Sequence, residues 1–357
     1  MKSRVLDISW SLIQPILAVV LGLALGLFVT YLAGESPWHV LMVLVKSAFG
    51  SREDFGMTLF YTTPLIFTGL SVAVAFHSGL FNIGAEGQLT LGALAAAATG
   101  ALFPNLPWPF APVFAALMAF TVAGLWGFIP GWLRARRGAH EVITTIMLNF
   151  VASGLASWVT LYLLKSTTSQ NPETRAIGAG YFISHLQFFG EAPVSTAFFL
   201  ALISAFAVWV LLFKTVLGYE IRAVGQNESA ARLAGIDPAR IRMLAMTVAG
   251  GLAGWVGVGE VLGNAGRFKM DFSPDYGFIG IAVALLGRNR PLGIVAAALL
   301  FGALHKGTAD LDIETEKVTR DLSLILQALV ILAVSAEGLW SYLGASLKNK
   351  ILGKAER

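Results

Sequence analysis

A chain of 357 residues in which 56% are hydrophobic and only 13% are charged is too apolar for a soluble protein, where about 25% of residues are charged. The absence of cysteine excludes disulfides, cysteine-ligated zinc and iron–sulfur clusters. The net charge of +4 comes from basic residues beside apolar runs, which indicates membrane topology rather than nucleic-acid binding. We therefore predict an all-α polytopic membrane protein that crosses the lipid bilayer many times.

Ten apolar runs predict about ten transmembrane helices, some of them short or broken. The first run, 11–32, is too long for the apolar region of a cleaved signal, so we expect a retained span. The stretch 40–45 is too short to cross and is expected at the outer interface. The pieces 276–287 and 291–305 fit either two tilted spans or one re-entrant hairpin. The other runs are 57–76, 83–102, 111–132, 142–164, 194–213, 243–263 and 321–342.

The basic residues predict that both termini lie in the cytoplasm, N-in and C-in. Basic residues concentrate in the loops that this orientation places inside, and the opposite loops mix theirs with many acids. The chain is then one transmembrane domain, 1–357, with a cytoplasmic loop at 214–242. The basic residues assigned to the inside are Arg134, Arg136, Arg137, Lys214, Arg222, Arg232, Arg240, Arg242, Arg288, Arg290, Lys348, Lys350, Lys354 and Arg357.

A polar cluster interrupts the apolar sequence at 77–89. A charge near the bilayer centre costs about 3 kcal/mol on insertion scales, so it requires a partner or a wet cavity. Glycines there would loosen a helix and let its backbone groups line that cavity. One interpretation is a broken helix on the translocation pathway or at a subunit interface; the other is a cytoplasmic turn in which Glu86 is an N-terminal helix charge. The candidate residues are Asn82, Gly84, Glu86, Gly87 and Gln88.

A similar break is indicated in the second half, because Phe278-Ile-Gly280 partly repeats Phe81-Asn-Ile-Gly84, and transporters often contain repeats with broken helices at matching places. Farther along, Glu260 is expected to pair with Asn264, Arg267 or Lys269 at the outer surface.

The stretch 140–150 carries a polar stripe, because Glu141, Thr145 and Asn149 fall near one helical face. Such a stripe usually faces the interior of a bundle, so Thr145 and Asn149 join the pathway candidates. His140 has no second histidine four residues on, which argues against a zinc site, and we expect it to cap the helix at the interface.

The loop 214–242 is charged and lies between two apolar runs. Asn227 is a plausible N-cap for a two-turn helix, Gly235 a natural stop, and Asp237-Pro238 a restart. A short helix standing off the membrane suits docking into a partner's groove, with the small residues Ala230 and Ala231 on the docking face; the alternative is a solvated connector. The candidate coupling residues are Glu228, Ser229, Ala230, Ala231, Arg232, Leu233, Ala234 and Gly235.

Three motifs carry a family resemblance. The sequence F-N-I-G-A-E-G-Q-x-x-x-G at 81–92 is similar to the signature of ABC importer permeases for branched-chain amino acids, simple sugars and nucleosides. The sequence R-A-V-G-x-N-x-x-A-A-R-L-A-G-I at 222–236 resembles the cytoplasmic coupling loop of ABC importers, and H-E-V-I-x-T-I-M-L-N at 140–149 resembles the nucleoside-import branch. The resemblance runs from about 57 to 340.

That resemblance implies a permease subunit, not an enzyme, in the bacterial inner (plasma) membrane. It implies a second permease subunit, cytosolic ABC ATPase subunits and a periplasmic or lipid-anchored substrate-binding protein that docks on the outer loops 165–193 and 306–320. The chain has no G-x-x-x-x-G-K-[ST], so we expect it to bind no cofactor, with ATP and Mg on the partner ATPase. The implied substrate is a nucleoside, with a simple sugar or a branched-chain amino acid as alternatives.

The rival interpretation is a secondary transporter or channel that works without an ATPase. It would couple transport to ions through buried carboxylates such as Glu86 and Glu260. Few intramembrane charges are present to build a proton or sodium relay, which counts against this rival.

Overall fold

The computed structural model describes residues 2–167 and 169–336, and all regular elements in these ranges are helices. The basic tail and the last residues of the tenth predicted run, from 337 onward, lie outside them. The α-helices are α1 Lys2–Leu32, α2 Pro37–Phe49, α3 Arg52–His77, α4 Ala85–Leu102, α5 Phe110–Arg137, α6 Glu141–Trp158, α7 Ala197–Lys214, α8 Val216–Gln226, α9 Glu228–Leu233, α10 Pro238–Gly254, α11 Tyr276–Leu286, α12 Pro291–Gly307, α13 Leu311–Glu314 and α14 Leu322–Ser335.

Two of these helices continue as π-helices, which are wider turns often found at functional sites. Val159–Leu163 extends α6, and Val258–Ala265 follows α10 after a short turn. Short 3₁₀ helices at Ala179–Tyr181 and Gln187–Phe189 lie in the loop between α6 and α7.

A helix stands at each of the ten predicted apolar runs, which confirms an all-helical polytopic architecture. In the part of the chain that the structure describes, seven helical segments are long and apolar enough to cross a membrane: Gln14–Leu32, Arg52–His77, Phe110–Arg137, Glu141–Leu163, Ala197–Lys214, Pro238–Ala265 and Pro291–Glu314. α4 is not among them, and its first turn carries Glu86 and Gln88. The total of ten spans and their orientation stay predictions.

The region 276–305 forms two helices, α11 and α12, rather than one continuous element. The turn between them bends sharply because Arg288 and Asn289 both adopt left-handed backbone conformations, with φ of 53° and 52°. The short stretch 40–45 lies within α2, a helix of 13 residues that is too short to span.

The described residues form two compact units. In the first, 2–50 and 304–336, α1 packs closely on α14 because Gly22 has no side chain: a Cβ there would lie 2.7 Å from Val330 Cα. α2 contacts α13, and the His39 ring bonds the Glu314 carbonyl at 3.0 Å. The prediction of one transmembrane domain over 1–357 stays a prediction.

The second unit, 51–303, has its core where α10 crosses α5 and α3. α5 and α10 approach closely through glycines, since a Cβ on Gly250 would lie 2.4 Å from the Ala123 carbonyl oxygen and one on Gly254 2.5 Å from that of Ala119. Small residues at such a crossing let helices pack backbone to backbone, which is how helices associate in lipid.

Two helices of this unit begin inside the bundle rather than at its ends. After α3 ends at His77 the chain turns back, and Asn82 donates to Ser71 Oγ at 3.0 Å, well inside α3, before α4 begins. α11 packs along α3, with Gly280 against Thr68. At the far end of this pair, the His77 ring bonds the Asn289 carbonyl at 3.0 Å. The first turns of α4 and α11 meet, since a Cβ on Gly277 would lie 2.3 Å from the Glu86 nitrogen.

Candidate functional site

The loop 214–242 folds as its cap residues predict. Asn227 Oδ1 accepts a hydrogen bond from the Ala230 backbone N–H at 3.0 Å and starts α9. Gly235 ends it with φ of 85°, a conformation that favours glycine, and the Ile236 N–H returns to the Ala231 carbonyl at 3.0 Å. Asp237 Oδ1 then accepts from the Ala239 N–H at 2.9 Å at the start of α10. Local capping fixes both ends of the six-residue helix.

Glu228 fastens α9 to the helix that follows. Its Oε1 pairs with Arg232 Nη2 at 3.0 Å, four residues on along the same helix, and its Oε2 pairs with Arg242 Nη1 at 2.9 Å. The charge of Arg242 holds the pKa of the Glu228 carboxyl below its ordinary value. A lowered folded-state pKa means that this pair stabilises the loop at neutral pH and is lost only as the pH falls below the ordinary carboxyl range.

The side of α9 that faces solvent differs from the one expected. Ala231 is only 3% exposed, so its side chain packs within the chain and its predicted place on a docking face is wrong. Ser229 and Ala230 are exposed, and Leu233 is 91% exposed. α9 therefore carries a largely uncovered leucine on an otherwise charged loop.

α8, directly before α9, contacts the turn that leads into α4. A Cβ on Gly225 would lie 2.2 Å from the His77 carbonyl oxygen and 2.9 Å from the Gly79 nitrogen, so the two backbones touch. The Arg222 guanidinium lies 5.2 Å from the ring of Phe213, whose other neighbour is the His77 ring at 5.9 Å. These contacts join the loop 214–242 to the α3–α4 turn.

Asn82 and Gln88 hold the break before α4. Asn82 Nδ2 donates to Gln88 Oε1 at 2.8 Å, and Gln88 Nε2 donates back to Asn82 Oδ1 at 3.0 Å. Both side chains are buried, and together with the bond to Ser71 they satisfy each other inside the unit. These two residues, both predicted for the pathway, therefore brace the broken helix.

Asn149 on α6 holds the first turn of α4 from the other side. Its Nδ2 donates to the Ile83 carbonyl at 2.9 Å, and its Oδ1 accepts from the Gly87 N–H at 2.9 Å. Thr145, one turn earlier, bonds its own helix at the Glu141 carbonyl at 2.8 Å and lies against Gly84. The polar stripe of α6 faces the bundle interior, as its spacing predicted.

A cleft of about 200 Å³ opens where α4, α6 and the segment before α11 meet, and we name it the α4–α11 cleft. Glu86 Oε2 accepts from the Gly277 N–H at 2.7 Å, and Ser273 also bonds the carboxylate. The cleft is lined by Glu86, Gly87, Thr90, Asn149, Ser153, Ala156, Ser157, Phe268, Met270, Asp271, Phe272, Ser273 and Asp275. Glu86, Gly87 and Asn149 are thus the predicted pathway residues that line this cleft.

The family model for the permease component of branched-chain amino acid transport systems matches residues 55–335. The chain belongs to this family of transport permeases. It is 35% identical to the guanosine ABC transporter permease protein NupP of Bacillus subtilis over 344 residues, 95% of this chain and 97% of that one. It is 38% identical to the nucleoside ABC transporter permease protein NupB of Lactococcus lactis, covering 82% of each chain.

A third relative of this permease, the glucose ABC transporter permease protein TsgB13 of Haloferax volcanii, is 34% identical over 89% of this chain and 85% of its own. No solved structure matches the sequence. The relatives are permease subunits of ABC transporters rather than enzymes, so this chain is a multi-pass ABC permease subunit.

The acidic side chains Glu260 and Glu173 of the permease each bond a named partner. Of the expected partners of Glu260, which is buried in the π-helix after α10, Asn264 bonds it, together with Tyr276. Arg267 instead pairs with Glu173 at 2.7 Å. Glu260 and Asn264 are four residues apart, as the expected pair requires, whereas the Glu173–Arg267 pair joins segments 94 residues apart that no local pattern links.

The prediction that the His140 side chain caps α6 is wrong. His140 stands at the N-cap position of α6 but makes no side-chain capping bond, and Glu141 pairs with Arg134 at 3.3 Å. Among the described residues, no cluster of three or more acidic or histidine side chains could hold a metal ion.

Proposed function

We propose that this permease forms the translocation pathway of an ABC importer for nucleosides together with a second permease subunit. The observation that carries the substrate class is the similarity to the guanosine and nucleoside permeases, which extends over nearly the whole chain in one case. The glucose permease among the relatives makes a simple sugar the second candidate. The bacterial inner membrane is the proposed location.

The proposed contact with the ATPase subunits is the exposed side of α9. Both ends of α9 are capped and Glu228 ties it to Arg242, so the helix moves with α10 as one body. Leu233, exposed at its end, supplies an apolar contact that can fill a pocket in the partner. ATP and Mg would be bound by those partner subunits.

Movement of α9 has a direct route to the pathway. α9 contacts α8, and Gly225 on α8 touches the His77–Gly79 backbone that precedes the break before α4. A shift of the loop driven by ATP would therefore displace the start of α4, whose Glu86 and Gly87 line the cleft. Alternating access follows when the two permeases rock about the site between them.

The outer loop 165–193 is proposed to receive the substrate-binding protein, together with 306–320. The first of these loops is pinned to the segment before α11, since the Thr174 N–H donates to the Phe268 carbonyl at 2.9 Å and the Met270 N–H to that of Pro172 at 3.2 Å. Because that segment lines the α4–α11 cleft, binding on the outer loop can alter the cleft without any other relay.

The rival mechanism, ion coupling without an ATPase, would use Glu86 and Glu260. Glu86 accepts from the Gly277 N–H and bonds Ser273, while Glu260 bonds Asn264 and Tyr276, so each carboxylate has a bracing role in the fold. Because both carboxylates already hold parts of the fold together, the ATP-driven mechanism is favoured over ion coupling.

The test is transport by the reconstituted complex in vesicles. With the permease pair, the ATPases and the binding protein present, we expect uptake of labelled guanosine that requires ATP on the ATPase side and withstands an ionophore. Excess unlabelled adenosine should compete and excess glucose should not. Uptake by the permease alone that an ionophore abolishes would contradict the proposal, and competition by glucose alone would replace the nucleoside by a sugar.

A further inference from the structure

The α4–α11 cleft has chemistry that selects among the substrates of the family. Its carboxylates are Glu86, Asp271 and Asp275, and no lysine, arginine or histidine is among the described residues that line it. A substrate with its own carboxylate, such as an amino acid, would meet like charges and no cationic side chain in the lining of this cleft. Carboxylates accept hydrogen bonds, so the complementary ligand is neutral and rich in O–H or N–H donors.

The carboxylates of the cleft can accept further hydrogen bonds from a ligand. A carboxylate can accept about four hydrogen bonds. Glu86 uses one position for the Gly277 N–H at 2.7 Å and another for Ser273, which leaves capacity for a ligand. Both cleft aspartates are exposed.

The backbone around those aspartates is constrained. Asp271 and Asp275 have φ of 58° and 62°, left-handed conformations that non-glycine residues rarely adopt. Such conformations cost free energy and persist where the surrounding structure requires them, often at ligand sites. The backbone of both aspartates in the segment 271–275 is thus constrained directly before α11 begins.

The lining of the cleft also includes a pair of aromatic rings. The rings of Phe268 and Phe272 lie edge to face with their centroids 5.5 Å apart, and both residues line the cleft. Flat heteroaromatic bases stack on such rings with little dependence on the base. A sugar alone needs the acceptors and does not need this pair.

The position in the bundle also fits transport. α11 has 11 residues and rises about 16 Å, roughly half of a hydrocarbon core of about 30 Å. If the Arg288–Arg290 turn lies at the cytoplasmic surface, as predicted, the first turns of α4 and α11 lie near the bilayer midplane. Broken helices whose ends meet there form the substrate sites of many transporters.

From these observations we infer that the α4–α11 cleft is a nucleoside-binding subsite of the permease itself, with the ribose hydroxyls on Glu86 and Asp275 and the base against Phe272. This inference rests on the proposed function and adds a specificity step after delivery by the binding protein. The volume of about 200 Å³ is below the roughly 300–1,000 Å³ of pockets that enclose a ligand, which suits a subsite completed by the second permease.

The test is photolabelling of the purified permease–ATPase complex, without the binding protein, by radioactive 8-azidoguanosine. We expect label in the peptide that contains 268–275, displaced by unlabelled guanosine and not by leucine. In Asp275→Asn or Phe272→Leu complexes, the guanosine concentration that halves the labelling should rise about tenfold. Asparagine tolerates the left-handed conformation of Asp275, so the fold should be kept.

The matched control is Asp321→Asn, an exposed aspartate at the start of α14, which should leave the displacement curve unchanged. Co-purification of the ATPase shows that each variant is folded. If the wild-type complex imports guanosine in vesicles while the label lies elsewhere, or while the cleft variants displace like the wild type, the subsite is wrong and the proposed function stands. If the wild type imports no nucleoside, the proposed function fails and the subsite with it.

Discussion

Arg242 on α10 donates from Nη1 to Oε2 of Glu228 at 2.9 Å, and this ion pair fixes the orientation of α9 on the membrane domain. The Arg242 side chain is 15% exposed, whereas that of Arg232, the other partner of Glu228, is 70% exposed. The partly buried pair should therefore be the stronger, because exposed ion pairs contribute at most about 1 kcal/mol. The proposed coupling between the ATPase and the helices of the permease requires that α9 be held rigidly in this way.

The first prediction compares the two arginines that contact Glu228. Arg242→Gln should increase amide hydrogen exchange across 228–236 at least severalfold, because the pair that holds α9 to α10 is lost. Arg232→Gln, the matched control, should change it little. The measurement is hydrogen exchange with mass spectrometry on the purified complex at neutral pH, where the lowered pKa of Glu228 keeps the carboxylate charged. Equal exchange in both variants would show that Arg242 does not anchor the helix.

The second prediction concerns the contact through which α8 would pass movement of the loop 214–242 to the α3–α4 turn. Gly225→Ala places a Cβ 2.2 Å from the His77 carbonyl oxygen, so α8 must move away from the α3–α4 turn. We expect the variant to retain the ATPase on purification, since α9 is unchanged, and to lose uptake by about tenfold or more. Gly154→Ala, where a Cβ would meet nothing within 4 Å, is the control and should transport normally. Normal uptake by Gly225→Ala would remove this contact from the route.

The third prediction concerns the first turn of α4. A Cβ on Gly87 would already lie 2.9 Å from Asn149 Oδ1 and 3.0 Å from Ala152 Cβ, so Gly87→Leu cannot fit without moving α6. Overpacking of this kind costs about 1–3 kcal/mol. Uptake should fall strongly while the protein still inserts, and Gly154→Leu should behave as the wild type. The idea is refuted if Gly87→Leu transports fully at normal abundance.

The fourth prediction concerns topology, and the absence of native cysteine makes it direct. Gln170→Cys and Ser229→Cys each place one thiol at an exposed position on predicted opposite sides of the membrane. A membrane-impermeant maleimide should label Gln170→Cys in intact spheroplasts and Ser229→Cys only after lysis. Labelling of Ser229→Cys from outside would place the loop 214–242 on the wrong side for an ATPase.

What could be predicted from the sequence was local. Asn227, Gly235 and Asp237 set their helix ends through bonds to residues two to five positions away, so the bounds of α9 were correct. The face of α9 was not predicted, because burial of Ala231 depends on neighbouring helices that a short segment cannot reveal. The same limit applies to Arg242, whose approach to Glu228 requires the chain to turn between the two residues.

In the candidate site too, local features could be predicted from the sequence and long-range contacts could not. Helical spacing put Thr145 and Asn149 on one face, but the bonds of Asn149 to Ile83 and Gly87 join segments more than sixty residues apart. The repeat of Phe81–Gly84 in Phe278–Gly280 pointed to the two segments whose helices meet. It does not mark equivalent positions, since Phe81 precedes α4 whereas Phe278 lies inside α11.

The docking of α9 on an ATPase can be tested at Leu233, because this side chain is uncovered and its replacement should leave the fold intact. The variant is Leu233→Glu, and the control is Leu292→Glu at the start of α12, where the leucine is 84% exposed. Burying an unpaired charge in an interface costs several kcal/mol, enough to separate the subunits.

The measurement is co-purification of the ATPase with each permease in detergent. We expect Leu233→Glu to lose the ATPase while inserting normally, and Leu292→Glu to retain it. If Leu233→Glu keeps both the ATPase and ATP-driven uptake of guanosine, α9 is a connector and the coupling role assigned to this loop is wrong.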